Sequence, residues 1–104
     1  MLTKELFIEA AKRYQTKPVD GIDGCFVREC TRADIKWALD KSTTDTEAEE
    51  RMVCISACDE AGNLILTRDD VETVKTFGYQ AVRKIANAAC DINGMTKSEE
   101  PGKN

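Results

Sequence analysis

Histidine is missing from this chain, tryptophan occurs once and proline twice. Without histidine there is no imidazole to act as base for a serine or cysteine nucleophile, and no nucleophile-elbow motif is present. The five cysteines, Cys25, Cys30, Cys54, Cys58 and Cys90, are spaced C-x4-C and C-x3-C. A structural zinc site usually needs a C-x2-C knuckle and often histidine. The glycines at 21 and 24 are not followed by the Gly-Lys-Ser/Thr of a phosphate-binding loop. No apolar run approaches the roughly 20 residues of a membrane span. Lys and Arg are scattered, and a net charge of −4 with a pI near 4.9 repels a phosphate backbone. These absences lead us to expect no catalytic, cofactor-binding or metal-binding residues, and neither nucleic acid nor membrane as a partner.

What is present is a chain of 104 residues, 41% hydrophobic and 33% charged, enough for one small core with a well-solvated surface. MLTKELFIEAAKR has Glu5 inside its apolar pattern and no cleavage signature, so it does not read as a secretory leader. An odd cysteine count without a leader points to reduced thiols in a reducing cytosol. Cysteine there behaves as a small buried hydrophobe.

The expected fold class is mainly α, a small α+β domain of four to five helices with a short β element near residues 18–30. Residues 1–94 read as one globular domain, and 95–104, ending TKSEEPGKN, as a disordered tail. Residues 3–15 read as a first helix, with Thr3 as N-cap and Phe7, Ala10, Ala11 and Tyr14 forming a stripe. Pro18 stops it. Two Asp-Gly pairs and the run Cys25-Phe26-Val27 give the strand or hairpin. Thr31 caps a helix over 32–40 whose apolar face holds Ile35, Ala38 and Leu39, with Trp37 at its border.

A third helix is expected from Thr46 as N-cap. Its apolar second half, Met52 to Cys58, is either buried helix or buried strand; helix is favoured, with Gly62 just beyond its end. There Cys54 and Cys58 would share a face. Asn63-Leu64-Ile65-Leu66 follows as an extended connector. Thr67-Arg-Asp-Asp70 opens the next helix, Gly78 breaks it, and 79–93 carries the stripe Val82, Ile85, Ala86 and Ala89.

The stretch 59-DEAGNLILTRDD-70 has the acids of a calcium loop in the wrong places. Counted from Asp59, position 3 is Ala61, position 6 is Leu64 and position 12 is Asp70, where an EF-hand needs an oxygen ligand, Gly and Glu. The segment reads as a joint between elements, with Asp69 and Asp70 as first-turn acids of the next helix.

The order of segments resembles the tail assembly chaperones of phages and prophages with long non-contractile, lambda-like tails. The pieces are 26-FVREC-30, 33-ADIKW-37, 51-RMVCIS-56, 59-DEAGNLIL-66, 67-TRDDV-71 and 92-ING-94, and the likeness covers roughly 18–95. The chain departs from the pattern at Leu66, where Phe is favoured, and in its five cysteines. The resemblance implies binding of the tape measure protein, a long apolar helical chain, to keep it soluble in the bacterial host cytoplasm during tail assembly. It also implies recruitment of the tail tube protein through a frameshifted, longer form. The alternative is a small prophage-encoded interaction or regulatory domain without catalytic activity.

Candidate protein contacts are Trp37, Leu64, Ile65, Leu66, Phe77 and Tyr79, large apolar residues near element ends. They also lead to the expectation of a homo-oligomer.

Overall fold

The computed structural model describes residues 1–95. The expected tail lies, from residue 96 on, outside the described residues. The chain is mainly α with a small antiparallel sheet, as its sequence predicts. It begins with α1 (Lys4–Ala11), capped by the Thr3 hydroxyl, which accepts the Leu6 N–H at 3.2 Å. A hairpin follows, β1 (Thr16–Pro18) and β2 (Phe26–Arg28), in the register Thr16↔Arg28 and Pro18↔Phe26. Pro18 is tolerated because β1 is an edge strand, where a missing N–H breaks no ladder. Thr31 caps α2 (Arg32–Ala38) through the Asp34 N–H.

The middle of the fold is α3 (Asp45–Ser56), which packs against α2, α4 (Val71–Val74) and α5 (Tyr79–Ile92). Met52, Val53, Cys54 and Ile55 are all buried, as a helix surrounded by neighbours requires. On α5 the stripe Ile85, Ala86 and Ala89 is buried, and its small residues allow close approach to α3. A 3-10 turn, Arg68–Asp70, leads into α4. It carries a full capping box: the Thr67 hydroxyl accepts the turn's N–H groups and the Asp70 carboxylate accepts the Thr67 N–H at 2.7 Å.

Several boundaries differ from expectation. The first helix stops at Ala11 rather than 15, because Gln15 is drawn into the sheet: its carbonyl accepts the Glu29 N–H at 2.9 Å. The third helix is capped by Thr44, not Thr46, and its hydroxyl accepts the Glu47 N–H. That helix also ends early. Ala57 and Cys58 form β3, pairing with Val27 and Phe26, so Cys58 leaves the face it was expected to share with Cys54. Pairing with an otherwise open β2 edge outweighs local helix propensity here. Gly62 (φ +89°) accordingly sits in a turn that folds Leu64 back beside Cys58, not at a helix end. Among the described residues, no helix is long and apolar enough to cross a membrane.

Candidate protein-interaction surfaces

The segments that carry the resemblance fold against one another. Arg28 of FVREC donates through Nη1 to the Gly62 carbonyl of DEAGN at 3.1 Å. The Cys30 N–H donates to Asn93 Oδ1 of ING at 2.9 Å. Arg51 of RMVCIS donates to the Trp37 carbonyl at 2.7 Å, and its guanidinium lies 4.7 Å from the Trp37 ring centroid. Arg68 of TRDD lies 5.0 Å from the same centroid and pairs with Asp34 at 2.6 Å. These polar residues of the pattern therefore tie the fold together.

Trp37 is half-buried, with two guanidinium groups over its ring. Arg51 also pairs with Glu47 at 3.2 Å and is mostly shielded, so its ties should count for more than those of exposed Arg68. Arg51→Ala is expected to cost about 1.5–3 kcal/mol, the range for hydrogen bonds to charged groups. Arg68→Ala should cost less than about 1 kcal/mol. Urea unfolding followed by the single tryptophan checks both, and equal costs would contradict this ranking.

The remaining candidate contacts divide into two places. Leu64 and Ile65 stand on the connector beside β3, Ile65 61% exposed and its N–H given to the Ala57 carbonyl. Leu66, by contrast, is half-buried and packs against the core. Phe77 and Tyr79 flank Gly78 at the α4–α5 corner, Tyr79 being 74% exposed. The structure does not bring Trp37 into either group through any contact described above.

A third apolar surface was read from sequence only as a stripe, with no indication of what it packs on. No residue of α1 is buried. Leu2, Leu6, Phe7 and Ile8 are all exposed, Phe7 at 59%. The available signal is the width of the apolar face: at about 100° per residue Ile8 and Leu6 fall outside the two borders of the stripe Phe7, Ala10, Ala11 and Tyr14, so the face is broader than one neighbour would need. The root of this arm is held: Arg28 lies 4.4 Å from the Tyr14 ring centroid, and the Gln15 N–H donates to the Glu29 carboxylate at 2.8 Å.

Electrostatics give these surfaces little chemistry of their own. A groove of about 860 Å³ runs past Cys30, Ile35, Lys36, Asn93 and Met95. Burial pushes the Cys30 thiol up to about 11, despite the Asn93 hydrogen bond that favours its thiolate. At neutral pH it is a thiol, a poor nucleophile. Two acids of 59–70, Asp59 and Asp70, are engaged locally. Asp59 accepts the Asn63 N–H at 2.9 Å, which holds its carboxyl below the usual range, and Asp70 caps Thr67. Among the described residues, no three cysteine or carboxylate side chains are grouped so as to hold a metal ion. No protein family, characterised relative or solved structure matches the chain.

Proposed function

We propose that this protein is a phage tail assembly chaperone that binds the tape measure protein and keeps it soluble in the bacterial host cytoplasm. The observation that carries the reading is the set of large apolar side chains left in solvent, Leu64, Ile65, Phe77 and Tyr79 together with α1, on a chain of net charge −4. A long apolar helix is covered by laying such side chains along its stripe, as amphipathic faces do in helix-in-groove recognition. The acidic remainder keeps the coated complex soluble. The work is binding free energy alone, without nucleotide or cofactor. A frameshifted longer form recruiting the tail tube protein belongs to the same reading.

Co-expression tests it. Tape measure protein is expected in the soluble fraction with this chain and in the pellet without it. Leu64→Asp/Ile65→Asp is the appropriate contact variant, since both side chains are exposed whereas Leu66 packs on the core. It is expected to fold normally and to lower the soluble yield by about tenfold or more, the equivalent of 1.4 kcal/mol or more of contact energy. A tape measure protein that is soluble by itself defeats the proposal and leaves the interaction or regulatory domain as the better reading.

A further inference from the structure

We propose that the extended segment 63–65 is a strand-pairing edge, which joins the same segment of a second copy of this chain, antiparallel, across a two-fold axis at Leu64. The inference goes beyond the tape measure reading and does not depend on it.

The sheet continues past β3. The Asp59 N–H donates to the Asn63 carbonyl at 3.0 Å and the Ile65 N–H to the Ala57 carbonyl at 3.1 Å, with Cys58 facing Leu64 between them. In an antiparallel ladder this makes Cys58 and Leu64 a non-hydrogen-bonded pair, whose own N–H and C=O groups point away from each other. On the Cys58 side they point to β2. On the Leu64 side they point off the sheet. Asn63, Leu64 and Ile65 are all exposed, and neither main-chain group of Leu64 has a partner among the described residues.

The two edges of the sheet are built differently. On β1, Lys17 faces Val27 as a hydrogen-bonded pair, so Thr16 and Pro18 turn their main chain outward. Pro18 has no N–H to offer there, and proline and lysine are common means of blocking an edge. From 63 to 67 the chain reads Asn-Leu-Ile-Leu-Thr, with neither. An apolar edge with free main-chain groups and no such block is a template for another strand.

This edge is complementary to itself. Leu64 offers one donor and one acceptor, and a two-fold axis satisfies both at once, the N–H of each Leu64 donating to the C=O of the other. No charge from 63 to 67 repels its own image. Side chains alternate along a strand, so the two Leu64 meet on one face while Ile65, opposite Asn63 of the second copy, lies on the other. The pairing leaves Ile65, α1, Phe77 and Tyr79 unused, and it sets two Ile65 side chains on a common face. One strand pair is a small interface, so the dimer is weak and populated on the order of tens to hundreds of micromolar.

Light scattering on the full chain across that range should show the mass rising from 11.6 kDa towards twice that value. Leu64→Pro removes an N–H that the fold itself does not use, and should stay at 11.6 kDa with helical circular dichroism retained. Leu64→Val keeps the N–H and should keep the dimer. On wild type, the Leu64 amide should exchange with solvent about tenfold more slowly where about nine-tenths of the chain is paired. In a mixture of ¹³C-labelled and unlabelled wild type, a cross-chain NOE should join the Asn63 Hα of one copy to the Ile65 Hα of the other. A wild type that stays monomeric overturns the proposal and leaves the edge to a strand of another protein. Leu64→Pro with wild-type mass, or a dimer without the Asn63–Ile65 contact, would overturn it too.

Discussion

Met52→Ala is expected to lower stability by about 2–5 kcal/mol, the range for truncating a large buried side chain. Met52 is fully buried in the middle of α3 and is the largest such side chain in the described structure. Its helix touches α2, α4 and α5, so the cavity would open where all the layers meet. A domain of this size holds about 5–15 kcal/mol in total, and the loss would lower Tm by about 10–25 °C. Leu64→Ala, at an exposed position, serves as the control and should cost under about 1 kcal/mol. Chemical denaturation measures both. A loss below about 1 kcal/mol for Met52→Ala would mean that α3 is not the centre of the core.

Alkali should have the second large effect. Burial raises the Cys54 thiol from an ordinary 9.0 to about 11, with Asp70 and Glu50 adding to the rise, and burial raises Cys30 to about 11. In the unfolded chain these thiols ionise first. Between pH 9 and 11 the native state therefore holds protons that the unfolded state has released, and stability falls as pH rises. The stability from protonated thiols is fully present below pH 9. It is lost on the way to 11, by about 2–3 kcal/mol for Cys54 and by less for the more accessible Cys30. Urea midpoints at pH 8 and pH 10.5 give the measurement, and Cys54→Ala should flatten the fall. An unchanged midpoint would contradict the burial argument.

Much of this fold could be read from single residues because local chemistry and packing agree. Thr3, Thr31 and Thr67 cap helices in sequence and in structure, and Val82, Ile85, Ala86 and Ala89 face the core as their spacing requires. The misreadings lie where a distant strand decides. Nothing local tells Ala57 and Cys58 to leave a helix; the open edge of β2, some 30 residues earlier in the chain, does so. Likewise Gln15 joins Glu29 instead of extending α1. The candidate surface was legible in part. Exposed Ile65 and Tyr79 follow from their place at element ends, and half-buried Trp37 from its place at the border of the α2 stripe, whereas the half-buried state of Leu66 depends on core contacts from other segments. The α1 arm was harder still, since an amphipathic stripe predicts a partner without saying which molecule provides it.

The proposed function implies that many copies of this chain coat one long apolar helix, since each is small. Its most direct test is the mass of the complex recovered when tagged tape measure protein is co-expressed with this chain and purified without nucleotide. Each chain covers only a short length, because a helix advances about 1.5 Å per residue. The account predicts a soluble complex holding several copies per tape measure chain, its copy number rising with the length of the tape measure fragment. A tape measure protein recovered soluble without this chain, or carrying at most one copy whatever its length, would contradict it.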